Sequence, residues 1–226
     1  MFYFRMLRPM RDRTAVAGLV KGLVCALVLI AAFARPNSIM AAEDFSDCRI
    51  EVLDGRVRLK NEDGTRVAKV GDTVANADTV VTGPSGRLRI KCGDRASFTI
   101  GAYSQIVFEK LTRASSNEKL VVRVARGIAG FIVYLLGSDR FEVHTPSAVA
   151  TVRSTEWTID ARRKGTAVFV RKGVVDVSGS RGASPRAQLQ AGDGVDVGLD
   201  GAVGTVKTWG QKRIDRMNAR LGYDWE

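Results

Sequence analysis

The sequence predicts an all-β protein of short strands, arranged either as a β-solenoid-like coil or as a sandwich. Three observations carry that expectation. Apolar residues recur with period two, as in Arg87-Leu88-Arg89-Ile90-Lys91-Cys92, where cations fall on one face and apolar groups on the other. Glycine numbers 23 in 226 residues against only 5 prolines, a surplus that points to tight turns and not to a low-complexity linker. The turn pairs Gly71-Asp72, Gly83-Pro84, Gly93-Asp94, Lys164-Gly165, Lys172-Gly173 and Gly192-Asp193 fall between the apolar runs. With 45% hydrophobic and 26% charged residues, the chain is neither a disordered tail nor a multispanning membrane protein.

The first 42 residues have a different character. Arg5, Arg8, Arg11, Arg13 and Lys21 precede an uncharged apolar run over 22–34, the pattern of an export signal. A membrane-crossing helix needs about 20 apolar residues, so the expectation is a cleaved signal helix and a periplasmic or secreted product. The membrane is touched only through this segment if it is retained. Small residues offer cuts after Ala34 or after Ala42, the second leaving Glu43-Asp44 at the start; Cys25 lacks the small residues before it that a lipidation site needs. The expected organisation is an export signal over 1–42, a β domain over 43–206 and a C-terminal helix over 207–226. Removing the signal leaves 184 residues with a formal charge of +6.

Along the mature chain, Cys48, Ile50 and Val52 share one side of the first strand. Arg56-Val57-Arg58-Leu59-Lys60 alternates next and runs into Asp63-Gly64, a hairpin turn signal. Further strands are expected over 87–92, 97–100, 105–108, 120–124, 131–135, 141–143, 156–159, 166–171, 174–177 and 195–197, with a polar loop over 113–119. From Thr208 the period becomes helical, with Ile214, Met217 and Leu221 at i, i+3 and i+7. That face either covers an open end or edge of the β core or receives a partner. Alternation aims Cys48 and Cys92 inward, which in an oxidising compartment suggests a disulfide; two separate buried thiols are the alternative.

Few residues here could carry chemistry. One histidine and three cysteines cannot build a His-rich metal centre or a Cys₄ zinc site, so no metal, cofactor or catalytic residue is expected. His144 reads as a surface or turn residue beside Glu142, and Ser147 lacks the geometry of an activated nucleophile. Asp63, Asp72, Asp94 and Asp193 stand beside glycines and are explained by turns. Nucleic acid is not an expected partner, since the cations are interleaved along strands instead of gathered with aromatics. Arg56, Arg58 and Lys60, and likewise Arg87, Arg89 and Lys91, face outward as a solvated face or as a contact for an acidic partner. In the second case, reversing Arg87, Arg89 and Lys91 to glutamate should slow association and leave the melting temperature nearly unchanged.

The order of motifs is more specific than the composition. Val70-Gly71-Asp72-Thr73-Val74 is followed by Asp78 to Leu88 with its Thr82-Gly83-Pro84-Ser85-Gly86, and then by Arg126-Gly127-Ile128-Ala129-Gly130. Next come Phe141-Glu142-Val143-His144-Thr145-Pro146, Ala148 to Val152, and Arg153-Ser154-Thr155-Glu156-Trp157. Val174 to Val177 and Leu189-Gln190-Ala191-Gly192-Asp193 close the series. Over about residues 50–197 this resembles the FecR domain. The resemblance implies a β-solenoid-like periplasmic fold, a non-enzymatic role, and a structural part for Thr145, Pro146, Arg153, Ser154, Thr155, Glu156 and Trp157. In signalling members of that family a cytoplasmic segment and a membrane helix precede the domain, and a further small domain follows it. Neither is expected here, so the chain resembles the stand-alone exported members. It also carries Arg153-Ser154-Thr155 where the family has R-G-T, which would remove positive-φ freedom at that corner. The function expected is a FecR-like binding module of the cell envelope that engages a protein partner in signalling. The alternative is a binder of anionic envelope glycans or lipopolysaccharide.

Overall fold

The computed structural model describes residues 47–111, 120–134, 140–181 and 185–222. The expected signal segment, both cleavage sites and the polar loop over 113–119 lie outside the described residues. Seventeen strands and one helix are present among the described residues. The chain enters through β1 (Cys48–Asp54), β2 (Val57–Asn61), β3 (Gly64–Val67), β4 (Thr73–Val74) and β5 (Thr79–Thr82). It continues through β6 (Arg87–Cys92), β7 (Ala96–Ile100), β8 (Gln105–Lys110) and the long β9 (Leu120–Tyr134). The second half holds β10 (Phe141–His144), β11 (Ala148–Val152), β12 (Ser154–Arg162) and β13 (Gly165–Lys172), then β14 (Val175–Gly179), β15 (Ala187–Leu189), β16 (Asp193–Val197) and β17 (Lys207–Thr208). The helix is α1 (Gln211–Leu221).

The strands pair into two ladders that share β9. One runs β4-β1-β6-β7-β9-β12-β13-β16-β17. The other runs β3-β2-β5-β8-β9-β10-β11-β14-β15. Pairing is antiparallel except between β9 and β10. Residues 120–126 of β9 serve the second ladder and 127–134 the first. The two strands expected over 120–124 and 131–135 are therefore one. Arg126-Gly127 falls in the gap between those two expected strands and is the point where a continuous strand changes ladder. Gly127 has φ +92°, and a Cβ there would lie 2.4 Å from the Ser104 Cα. Buried Ser104 locks this corner by accepting the Ile128 N–H at 3.0 Å, while its own N–H donates to the Thr82 hydroxyl at 2.8 Å.

Alternation places one face of each ladder against the other. Phe98, Phe131 and Trp157 from the first ladder meet Phe108 and Phe141 from the second. Phe98 lies 5.6 Å from Phe141 and 6.0 Å from Phe108, and Phe131 stacks on Trp157 at 5.0 Å. All five rings are essentially inaccessible to solvent. Each such side chain contributes roughly 1.5–3 kcal/mol by leaving water, and aromatic pairs add about 0.5–1.5 kcal/mol. Cys48 and Cys92 sit opposite one another in β1 and β6 and are joined as a disulfide.

The outer faces of the ladders differ. On the first, α1 packs Met217, Leu221 and the partly buried Ile214 against Ile128, Ala167, Phe169 and Trp209. The Arg213 guanidinium stacks 3.5 Å above the Trp209 ring and donates to Asp196 at 2.5 Å. Arg220 pairs with the fully buried Asp160, which also accepts from Arg162. At the helix C-terminus Arg87 donates to the Gly222 carbonyl at 3.0 Å. The outer face of the second ladder carries no such helix among the described residues. Across β5, β8, β9 and β11 it presents half-buried Val81, Val107, Val121, Val149 and Thr151. Among the described residues no helix is long and apolar enough to cross a membrane.

Candidate functional site

The outer face of the second ladder is hollowed over β10, β11 and β14 into a groove of about 820 Å³. Its floor follows from period two: Glu142 and His144 on β10, Val149 and Thr151 on β11, and Asp176 and Ser178 on β14 all point outward, while Phe141, Val143, Ala150, Val152, Val175 and Val177 point into the core. Arg140, Arg153, Val174 and Arg186 line the groove from the strand ends and turns. Its two carboxylates are already engaged. Glu142, with 12% of its side chain exposed, lies 3.2 Å from the His144 Nε2, and Asp176 accepts from the Gln188 amide at 3.1 Å. Arg140, Arg153 and Arg186 are exposed and have no carboxylate partner among the described residues.

The corner that joins β11 to β12 holds one end of this groove. Arg153 is the link residue at which the chain leaves the second ladder for the first. Ser154 opens β12 and is not a positive-φ residue. The left-handed conformation lies instead at Gly173, φ +89°, where a Cβ would sit 2.6 Å from the Ser154 carbonyl. The departure from R-G-T thus removes no freedom that this corner uses. Thr155 donates to the Val174 carbonyl at 3.2 Å and ties the corner to the strand beside the groove. Glu156 faces outward toward Arg171 at 3.5 Å and Lys172 at 3.7 Å, while Trp157 points into the core.

Thr145 and Pro146 build the turn between β10 and β11. The Thr145 hydroxyl accepts the Ala148 N–H at 2.9 Å and lies 2.8 Å from the Thr166 hydroxyl, which is also 2.8 Å from that of Ser147. The Pro146 carbonyl accepts from Ser180 at 2.8 Å. Three buried hydroxyls therefore satisfy one another and the turn backbone, a network that period-two reasoning does not reveal.

The turn aspartates have a shared use. Asp72, Asp78 and Asp193 each accept the backbone N–H three residues back, at Lys69 (2.8 Å), Ala75 (2.9 Å) and Gln190 (3.1 Å). At Asp72 partial burial works against ionisation. The Lys69 N–H and the charges of Arg66 and Lys69 outweigh it and hold the carboxyl below the ordinary aspartate range.

The remaining residues singled out by sequence are dispersed. Arg87, Arg89 and Lys91 lie on β6 at the outer face of the first ladder, the first two half-buried. The bond from Arg87 to Gly222 makes it an anchor for α1. Ile214, Met217 and Leu221 are turned onto the chain's own sheet, so a partner would reach them only by displacing the helix. Arg56, Arg58 and Lys60 are exposed on and beside β2. None of these lines the groove. Among the described residues no group of three or more His, Cys, Asp or Glu is placed to hold a metal ion.

Fold and groove together define an all-β module that offers one open, arginine-lined sheet face. Residues 78–176, from the start of β5 into β14, match the family described as FecR protein. No curated protein matches the chain. Its fold is similar to two crystal structures of a provisionally assigned anti-sigma factor from Parabacteroides distasonis ATCC 8503, determined at 2.50 and 1.65 Å. Identities are 17% and 18% and TM-scores 0.50 and 0.51, and each match covers 61% of this chain. The chain spans about 62% of the length of those structures.

Proposed function

We propose that this chain is a non-enzymatic binding module of the cell envelope, exported through its first 42 residues, whose β domain over 43–206 engages a protein partner in signalling. The observation that carries the reading is the FecR domain over 78–176. The chemistry of the groove agrees with it. The single histidine is engaged with Glu142, and the Ser147 hydroxyl is buried against Thr166, so neither forms a nucleophile with its base. The chain path, which repeatedly alternates between two ladders, supports a flattened, solenoid-like coil. Lysine-reactive cross-linking in intact cells, followed by identification of the adduct, tests the proposal. A discrete protein adduct is expected, and a chain that is cytoplasmic and yields none would refute it.

The exposed cations Arg56, Arg58 and Lys60 favour a second reading, binding of anionic envelope glycans. Salt-sensitive binding to isolated envelope polysaccharide, lost on reversing these three charges, would select it over the first.

A further inference from the structure

We infer that the groove over β10, β11 and β14 is the docking surface for an acidic, extended segment of the protein partner, held by Arg140, Arg153 and Arg186. The inference rests on the reading above that the partner is a protein, and adds where and through what chemistry it binds.

Three features converge. First, the groove volume of about 820 Å³ lies in the range of formed binding clefts, and the helix that covers the other ladder has no counterpart here among the described residues. Second, three guanidiniums line the groove against two carboxylates, and among the described residues only the carboxylates already have side-chain partners. Glu142 is engaged by His144 and Asp176 by Gln188, whereas Arg140, Arg153 and Arg186 have no carboxylate partner among the described residues. Arg66, Arg123, Arg162, Arg213 and Arg220, by contrast, each pair with a carboxylate of this chain. An unpaired guanidinium presents a planar fork that matches a carboxylate with two parallel hydrogen bonds. Third, Val149 on the floor and the exposed Val174 at its end add apolar surface to the lining, which suits small apolar side chains placed between the acids of a polypeptide. No Phe, Tyr or Trp ring is among the residues lining the groove, so a sugar would find none of the broad apolar rings on which it stacks. A peptide fits this surface better than a glycan does.

The test uses the purified protein at about 0.15 M ionic strength, where long-range attraction is screened within ~8 Å. The probe is a fluorescein-labelled decapeptide of alternating glutamate and alanine, with a lysine-alanine decapeptide as control and a sulfated heparin oligosaccharide as competitor. Anisotropy should show saturable binding of the acidic peptide alone, and amide shift changes should cluster on β10, β11 and β14. R140E/R153E/R186E should weaken binding at least tenfold. R56E/R58E/K60E, an equal charge change on the same ladder outside the groove, should change it less than twofold. Equal losses in both variants would show attraction to net charge only and overturn the proposal. So would the absence of saturable binding, or an oligosaccharide that occupies the same amides more tightly than the peptide. A cross-linked protein still captured by the groove-reversed variant refutes the docking surface and leaves the function. A groove that binds the peptide in a chain that captures no protein in cells refutes the function and leaves the surface.

Discussion

Removing the disulfide is the perturbation whose size the structure fixes best. Cys48 and Cys92 are 44 residues apart and buried, and they bridge β1 and β6, the strands that carry one end of the first ladder. Opening a loop of that length releases loop-closure entropy in the unfolded chain worth about 4 kcal/mol at 25 °C. For a domain of this size each kcal/mol moves the melting temperature by about 2–4 °C, so reduction should lower it by roughly 8–16 °C. C48A/C92A should fall by a similar amount, with a small additional loss for the two missing sulfur atoms in the core. The assay is thermal unfolding followed by circular dichroism, with and without dithiothreitol, alongside mass spectrometry of alkylated native protein. A melting temperature that reductant leaves unchanged within about 2 °C would refute the reasoning, as would two alkylatable thiols in this pair under native conditions.

Three further outcomes follow from particular contacts. Trp157→Ala should cost about 3–5 kcal/mol in urea unfolding, because the ring is fully buried against Phe131. Trp157→Phe should cost far less, since the indole N–H has no acceptor to lose among the described residues, and equal losses would contradict that placement. Gly127→Ala should destabilise severely, as the new Cβ meets Ser104 backbone where β9 changes ladder; a variant with wild-type stability would remove Gly127 from the corner. The folded-state pKa of Asp72 lies below its ordinary value of 3.8, so its ionised form contributes stability that is present above that value and is lost as pH falls through the folded pKa. Asp72→Asn should therefore be less stable than wild type at neutral pH, with the difference shrinking on acidification below about pH 4; a gap that is constant with pH would contradict this assignment.

Much of the fold is legible in the sequence because one face of each ladder is buried, and burial enforces period two. The 87–92 strand is found with its exact bounds, and the face of Ile214, Met217 and Leu221 marks α1. What escaped has physical causes. β11, Ala-Val-Ala-Thr-Val, is small and apolar on both parities, so alternation is weak there. β3, β4, β15 and β17 are too short for periodicity to register. Gly127 looks like a break because a glycine marks a bend equally well whether a strand ends or turns a corner. The groove was not legible. Arg140, Arg153 and Arg186 are distant in sequence, and only the β10-β11-β14 pairing brings them to one surface. The sequence drew attention instead to Arg87, Arg89 and Lys91, whose alternation is conspicuous. Because Arg87 anchors the end of α1, reversing that trio is now expected to lower stability, contrary to the unchanged melting temperature that outward parity alone suggests.

The central claim is that this FecR-like β domain meets a protein through the open face of its second ladder. Its most direct test is a photo-reactive side chain placed at Thr151, on the groove floor in β11, and separately at Arg58, on the same outer face in β2. Ultraviolet irradiation of intact cells should yield one discrete protein adduct from position 151 and none from position 58. An adduct from position 58 alone, or no protein adduct from position 151, would contradict the account.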